Sequence, residues 1–151
     1  MPSPLARRPA RPDDLDALIE LRLIAMRPSL EKLGRFNPAR ARQRFVDEFA
    51  PEHTTILIDE GRIVGCYALL PRADHFCLAH LYLLPAYQGR GIGRSIVMEL
   101  QRKADQMGKQ IHLIALSQSD AEHLYARLGF EIIDRDNVEV RMVYAATGDQ
   151  R

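Results

Sequence analysis

The chain has 151 residues, with 21 lysines and arginines against 20 aspartates and glutamates, so its formal net charge is +1. With 46% hydrophobic and 27% charged residues, the composition is that of a folded domain and excludes the disordered, collagen-like and coiled-coil classes. No apolar run reaches the roughly 18 residues that a membrane-spanning helix needs. The sequence therefore predicts one domain over residues 1–146, a polar tail over 147–151 and no membrane partner.

The N-terminus and the cysteines bear on the cellular compartment. The first residues are basic and lead into acidic ones without an apolar segment, which is untypical of a secretory signal and favours a cytoplasmic protein. Cys66 and Cys77 lie inside apolar runs, where we expect packed thiols rather than a disulfide. Two cysteines and five scattered histidines give no zinc-binding spacing, so no metal site is predicted.

The spacing of apolar residues predicts alternating helices and strands. Period 3.6 indicates the helices, and β-branched runs bounded by turn residues indicate the strands. In chain order, the predicted elements are a helix over about 13–27, a helix that ends before Pro51, strands at 54–59 and 62–70 joined by Glu60-Gly61, a strand at 76–84, a helix with the apolar stripe Ile92, Ile96, Val97, Leu100, Ala104 and Met107, a strand at 111–116, a helix at 120–128 and strands at 130–134 and 138–145. This order predicts a mixed α/β sheet with helices on both faces.

A glycine-rich segment, Gln88–Arg94, connects a predicted buried strand to an amphipathic helix. Glycines let backbone N–H groups approach an anion closely, and a helix N-terminus favours negative charge. Arg94 lies in the first turn, where the helix dipole disfavours a cation by ~0.3–1 kcal/mol unless an anion is bound. Taken alone, the segment is equally compatible with a plain tight turn. It is neither a P-loop, which needs lysine at position 94, nor a dinucleotide fingerprint, which needs glycine or alanine at that position.

Two segments together resemble the signature of the GNAT N-acetyltransferase superfamily. Leu81–Pro85 followed by Gln88–Gly93 is similar to the strand and the Q/R-x-x-G-x-G/A loop of that family. Gln118–Phe130 is similar to its N-x-x-A-x-x-x-Y-x-x-x-G-F stretch, with Gln118 where asparagine is usual. The motifs occur in the family's order and near its usual separation. The close match covers 76–131, whereas the first 50 residues resemble the family in layout only.

The resemblance implies a GNAT-like α/β fold and a cosubstrate. The fold is a mostly antiparallel, twisted sheet of about six or seven strands, splayed at the cofactor site, with helices on both faces. Acetyl-CoA would bind in the cleft, with its pyrophosphate on the loop amides and no metal. The residues that the resemblance assigns to cofactor binding are Leu81, Tyr82, Leu83, Gln88, Gly89, Arg90, Gly91, Ile92, Gly93, Arg94, Gln118 and Tyr125.

The resemblance also implies direct transfer of an acetyl group to a primary amine of a small molecule, peptide or protein. The backbone amide of Leu83, freed by a bulge in its strand, would polarise the thioester carbonyl. Tyr125 would protonate the departing CoA thiolate. Without the surrounding motif, the place of Tyr125 on an apolar helix stripe would indicate an ordinary core tyrosine.

No general base is evident in the sequence. The two positions where family members often carry glutamate or histidine are Cys77 and Leu113 here. Strand alternation places His80 on the opposite face, and Asp74 and His75 would need a bridging water. Deprotonation at pH 7 costs about 4.6 kcal/mol for a lysine and about 1.1 kcal/mol for an α-amine, so the lack of a base favours the α-amine.

Three alternatives stay open at this point. A chain without a base also fits a non-catalytic acyl-CoA-binding or sensing module, and the acyl group transferred could be longer than acetyl. Residues 31–44 carry five cations against one glutamate, which fits either an anionic acceptor or a solvated helix face. No aromatic interleaving indicates nucleic acid. The resemblance also allows a homodimer that pairs through C-terminal strands.

Overall fold

The computed structural model describes residues 5–146, so the predicted tail at 147–151 lies outside the described residues. Within this range the elements are β1 (Ala6–Pro9), α1 (Leu15–Lys32), α2 (Pro38–Glu48), β2 (Thr54–Asp59), β3 (Arg62–Pro71), β4 (His75–Leu83), α3 (Ile92–Met107), β5 (Gln110–Leu116), α4 (Asp120–Arg127), β6 (Glu131–Arg135) and β7 (Glu139–Tyr144). Short 3-10 turns occupy Pro12–Asp14, Pro51–His53 and Pro85–Tyr87. The mixed α/β fold predicted from the sequence is confirmed.

The strands form one sheet in the order β1-β2-β3-β4-β5-β7-β6. Four of its pairs, β1/β2, β2/β3, β5/β7 and β6/β7, are antiparallel, and β4 runs parallel to β5. A parallel pair requires a crossover connection, which the glycine segment and α3 supply. The glycine segment therefore follows the carboxyl end of β4, and crossover connections commonly bind ligands at this end of a strand.

Of the described residues, 5–68 and His80–Gln88 form a first compact unit. Its core contains Leu18 and Ile19 of α1 and Phe45 of α2, each exposed by 1% or less. The side chain of Asn37 accepts a hydrogen bond from the Arg40 N–H at 3.1 Å and so caps α2. The β2–β3 hairpin turns where the sequence predicts it, at Glu60-Gly61, with both residues left-handed.

Leu69–Ala79 and residues 89–146 form a second compact unit. Four members of the predicted α3 stripe are buried there: Ile96, Val97, Leu100 and Ala104. Met107 is 52% exposed, so its predicted place in the stripe is wrong. It is the last residue of α3, where the chain turns away through left-handed Gly108.

Two N-terminal elements differ from the prediction. The first helix continues through Pro28 to Lys32, although a proline inside a helix removes one hydrogen bond and crowds the preceding turn. The sequence also gave no sign of strand β1. Its residues, Ala-Arg-Arg-Pro, show no apolar alternation, and the strand exists through backbone pairing with β2, from Ala6↔Ile58 to Pro9↔Thr55.

At Gly65 the backbone of β3 lies so close to β4 that there is no room for a side chain. A Cβ atom there would lie 2.8 Å from the carbonyl oxygen of Tyr82 and 2.7 Å from Cδ2 of Leu83. Because a backbone oxygen cannot move aside easily, we expect Gly65→Ala to lower the free energy of unfolding by about 1–3 kcal/mol in urea titrations. Gly61→Asn is the control, since nothing lies within 4 Å of Gly61 and asparagine tolerates its left-handed φ. Unchanged stability of Gly65→Ala would contradict this packing.

Candidate cofactor and catalytic site

The glycine segment exposes its backbone at the start of α3. Gly89 and Gly91 have φ values of +72° and +81°, and nothing lies within 4 Å of where a Cβ would be placed on either. Gly91 caps α3, accepting a hydrogen bond from the Ser95 N–H at 3.0 Å. The first turn contains no acidic residue, and the side chains of Arg90 and Arg94 are exposed. The segment therefore has the open backbone and the positive charge that phosphate groups require.

At the carboxyl end of β4, one edge of the strand faces away from β3. The Leu84 N–H donates to the carbonyl oxygen of Val64 in β3 at 2.9 Å. Because successive N–H groups of a strand point to opposite sides, the Leu83 N–H points away from β3. The Leu83 carbonyl lies on that same edge, and it accepts a hydrogen bond from Nε2 of Gln88 at 2.9 Å. The first unit thus brings together two predicted site residues, Leu83 and Gln88.

Strand β4 contains one left-handed residue, His80, with φ +54°. A single left-handed residue inside a strand is typical of a β-bulge, which inserts an extra residue and changes the direction of the N–H groups that follow. The resemblance implied a bulge in this strand, and the structure shows this signature at His80. The alternation predicted for His80 and Tyr82 holds, since their side chains share a face: His80 Nδ1 lies 2.8 Å from the Tyr82 hydroxyl.

His80 belongs to a group of polar side chains that we call the bulge cluster: Arg22, Glu48, His80 and Tyr82. Arg22 and the His80 ring are buried, whereas the Glu48 side chain is 43% exposed. The Arg22 guanidinium lies 3.2 Å from His80 Nδ1 and also donates to the Tyr82 hydroxyl. On the other side of the ring, His80 Nε2 lies 2.7 Å from Glu48 Oε1, without the alignment of a regular hydrogen bond. Since a guanidinium can only donate, His80 Nδ1 accepts, and the proton of the neutral ring lies on Nε2.

The surroundings of His80 keep its ring neutral. Burial and the Arg22 charge lower its pKa from 6.5 to about 4, against the opposing effect of Glu48. Burial also raises the pKa of the neighbouring Tyr82 phenol. Sequence reasoning missed Arg22 and Glu48. The one available signal was an arginine within the apolar stripe of α1, three residues after Ile19.

Tyr125 lies in the second unit, on the inner face of α4. It is 6% exposed, its ring lies 5.4 Å from that of Phe130, and burial raises the pKa of its phenol. The tyrosine therefore carries its proton at neutral pH. Of the other residues on the apolar stripe predicted for this helix, Ala121 is exposed, and a glutamate, Glu122, is buried instead.

Glu122 holds the loop between β5 and α4. It forms an ion pair with Arg135, whose guanidinium also donates to the Ser117 hydroxyl. Glu122 Oε1 accepts a hydrogen bond from the Gln118 N–H at 2.6 Å. The pKa of Glu122 is lowered, chiefly by the Arg135 hydrogen bond. Gln118 is left-handed, with φ +64°, so this ion pair fixes a strained residue that the family motif assigns to the cofactor site.

The remaining candidates for a base have other contacts. Asp74 and His75 bond to each other at 2.8 Å, and the His75 ring stacks on that of His112 with centroids 4.0 Å apart. His75 begins β4, whereas Leu83 ends it. Cys66 is buried and Cys77 half-buried, and neither forms a disulfide. Leu113 is 4% exposed and packs as a core residue.

The basic stretch at 31–44 is partly neutralised. Arg42 forms an ion pair with Asp16 at 3.3 Å, and Arg44 forms one with Glu48 at 3.6 Å. Across residues 5–146, no three His, Cys, Asp or Glu side chains are grouped closely enough to hold a metal ion. None of the helices in that range combines the length and the apolar character needed to cross a membrane.

The neutral His80 predicts acid-sensitive stability. The titratable and charged groups that face its ring are Arg22, Arg44, Glu48 and Tyr82. Between pH 6.5 and about 4 the unfolded chain binds a proton that the folded ring does not, so the free energy of unfolding falls as the pH is lowered. We expect His80→Asn to lose less stability than the natural chain between pH 7 and pH 5 in urea titrations. Identical pH profiles would show that folding does not lower the pKa of the ring.

Comparison with known proteins identifies the family. Residues 50–132, more than half of the chain, match the acetyltransferase (GNAT) domain. An uncharacterised N-acetyltransferase of Mycobacterium tuberculosis is 34% identical over 95 residues, which cover 59% of this chain and 60% of that protein. The uncharacterised N-acetyltransferase YjgM of Escherichia coli is 32% identical over 91 residues, which cover 56% and 54%. The chain thus matches less than two thirds of the length of these relatives.

Solved structures share the fold at lower identity. The PaiA N-acetyltransferase of Thermoplasma acidophilum, in complex with coenzyme A, aligns with a TM-score of 0.75 at 18% identity, over 95% of this chain and 99% of that one. The ribosomal-protein-S18-alanine N-acetyltransferase of Escherichia coli aligns with a TM-score of 0.71 at 18% identity, over 93% of each chain. From the domain match and this shared fold, we conclude that the chain belongs to the GNAT acetyltransferase family.

Proposed function

We propose that the protein is an acetyl-CoA-dependent N-acetyltransferase that acts on a primary amine. The observation that carries the proposal is the exposed backbone of Gly89 and Gly91 at an α3 N-terminus that lacks acidic residues. Arg90 and Arg94 add positive charge beside it. In this proposal the amides from Gly89 to Arg94 hold the pyrophosphate, Gln88 supports the segment from Leu83, and Leu81, Tyr82 and Gln118 contribute backbone or side-chain contacts to the rest of the cosubstrate.

The reaction is a direct transfer. The amine nitrogen attacks the thioester carbonyl carbon, a C–N bond forms, and the C–S bond breaks with its electron pair on sulfur. The thiolate takes a proton from the Tyr125 phenol, and the nitrogen loses its proton to water. Burial raises the pKa of the phenol, so Tyr125 keeps its proton until the thiolate forms.

The Leu83 amide is the proposed electrophilic group. Its N–H points away from β3, so it is directed outside the β3–β4 hydrogen-bond ladder. A donor aimed at the carbonyl oxygen stabilises the negative charge of the tetrahedral intermediate. In well-studied enzymes, one such donor lowers the barrier by ~3–4 kcal/mol.

The acceptor is proposed to be an α-amine rather than a lysine side chain. Cys77 and Leu113 occupy the positions where a base is usual, and Asp74 and His75 bond to each other. An amine must then lose its proton to water, which costs about 1.1 kcal/mol at pH 7 for an α-amine and about 4.6 kcal/mol for lysine. A panel of amines in which lysine side chains react far faster would contradict this choice.

Replacing a loop glycine tests the cosubstrate site. Valine cannot adopt the φ of +81° at Gly91, so Gly91→Val redirects the backbone N–H groups, and we expect acetyl-CoA affinity to fall at least ~10-fold in calorimetric titrations. Gly34→Val is the matched control, because Gly34 has φ +68° and equally open surroundings at the end of α1. If both variants bind as the natural chain does, the glycine segment is not the site.

Replacing the proposed acid tests the chemistry. Tyr125→Phe removes only the hydroxyl, so we expect turnover to fall ~10-fold or more with unchanged acetyl-CoA affinity. Tyr144→Phe is the matched control, since that hydroxyl donates to Asp105 at 3.0 Å and has no proposed part in the reaction. A Tyr125→Phe variant with full turnover would remove the phenol from the mechanism.

The same assays separate the enzyme from a sensing module. Calorimetry measures acetyl-CoA binding, and release of free thiol is then followed with a panel of amines, amino acids and peptides. Binding with amine-dependent thiol release supports the transferase. Binding without release on any amine favours an acyl-CoA-sensing module, and a failure to bind rejects both.

A further inference from the structure

The left-handed backbone of His80 needs an explanation. A non-glycine residue at φ +54° within a strand is strained by roughly 1–2 kcal/mol, and such strain persists only where the surroundings hold it. Nothing in the chain on either side of His80 favours this conformation, because Ala79 and Leu81 are ordinary strand residues. The constraint must come from packing.

The contacts of His80 supply that constraint from three other elements. The Cys66 thiol of β3 donates to the His80 carbonyl at 3.2 Å, and burial raises the pKa of this thiol to about 12, so it keeps its proton. Arg22 of α1 holds His80 Nδ1, and Glu48 of α2 lies 2.7 Å from Nε2. The Phe45 ring packs edge-on against the imidazole, with centroids 4.8 Å apart. Both the backbone and the ring of His80 are therefore fixed.

The conformation of His80 determines which way Leu83 faces. A bulge adds one residue to a strand relative to its neighbour. If the bulge straightens, every following residue turns to the opposite side of the strand. With the bulge, the Leu84 N–H bonds to Val64 in β3 and the Leu83 N–H points away. If His80 became extended, the Leu83 N–H would turn into the β3 ladder.

We propose that Arg22, Glu48 and Cys66 are positioning residues, which hold His80 left-handed and thereby direct the Leu83 amide away from β3. The inference deepens the proposed function, in which that amide polarises the thioester carbonyl. These three residues then act on the reaction through the backbone geometry of β4, and His80 takes no proton.

Two substitutions at position 80 separate conformation from side-chain chemistry. His80→Val disfavours the left-handed region, because a β-branched residue rarely adopts it, whereas His80→Gly adopts it at no steric cost. Both remove the imidazole. Amide hydrogen exchange of leucine-labelled protein, read by NMR without cosubstrate, follows the Leu83 and Leu84 N–H groups directly. In the natural chain we expect Leu83 to exchange at least ~10-fold faster than Leu84, which is bonded to Val64.

The two variants have different expected results. His80→Val slows exchange at Leu83, speeds it at Leu84, and lowers kcat ~100-fold with the acetyl-CoA KM within about 3-fold, the signature of a lost transition-state donor. His80→Gly keeps the natural exchange pattern and keeps kcat within about 3-fold. Should His80→Val fail to fold, Glu48→Gln replaces it, since Glu48 is 43% exposed, and it is expected to shift both readouts in the same direction.

Two outcomes overturn the inference. If the Leu83 N–H exchanges at its natural rate in His80→Val, the conformation of residue 80 does not determine which way that N–H points. Equal losses of kcat in the valine and glycine variants, with unchanged exchange, show that the imidazole itself transfers a proton. Failure of the proposed function looks different: the exchange pattern changes as expected, but the natural chain acetylates no amine.

Discussion

The left-handed backbone of His80 is the constraint on which the carboxyl end of β4 depends. It is imposed by a buried arginine, a thiol and a carboxylate from three other elements. Arg22 is 5% exposed and its Nε has no hydrogen-bond partner, so one of its buried donors is unsatisfied. A polar cluster of this kind adds little net stability, yet it tolerates few other arrangements. Its contribution here is to hold the backbone of residue 80 in a strained geometry.

In the second unit, Gln118 is a left-handed residue that is held by side-chain contacts in a similar way. Of the described non-glycine residues, three are left-handed: Glu60, His80 and Gln118. Glu60 lies in the hairpin turn, where a positive φ is ordinary. His80 directly precedes the family segment Leu81–Pro85, and Gln118 begins the second family segment. Each contacts a carboxylate, Glu48 for His80 and Glu122 for Gln118. Strain at these positions is thus sustained by charged partners.

The features that the sequence predicts correctly are those that depend on residues close together along the chain. The hairpin turn at Glu60-Gly61, the glycine segment and most of the α3 stripe follow from local rules, and the structure agrees with them. The bulge cluster joins residues 58 positions apart, Arg22 and His80, so no local pattern could reveal it. Glu122 and Arg135 were likewise hidden, because a buried glutamate on a helix looks like a solvated one until its partner is placed. Strand β1 exists only through pairing with β2.

The arrangement around His80 also bears on the proton of the acceptor amine. A base needs a free lone pair, but Nδ1 of the ring accepts from Arg22, and its Nε2 carries the proton toward Glu48. Burial and the Arg22 charge lower the ring's pKa to about 4, so a proton added to it would be held weakly at pH 7. The imidazole therefore holds the bulge and does not act as a base. Without a side chain that takes the proton, the amine itself must be neutral when it attacks, and an α-amine, with a pKa of about 7.8, is neutral far more often than a lysine.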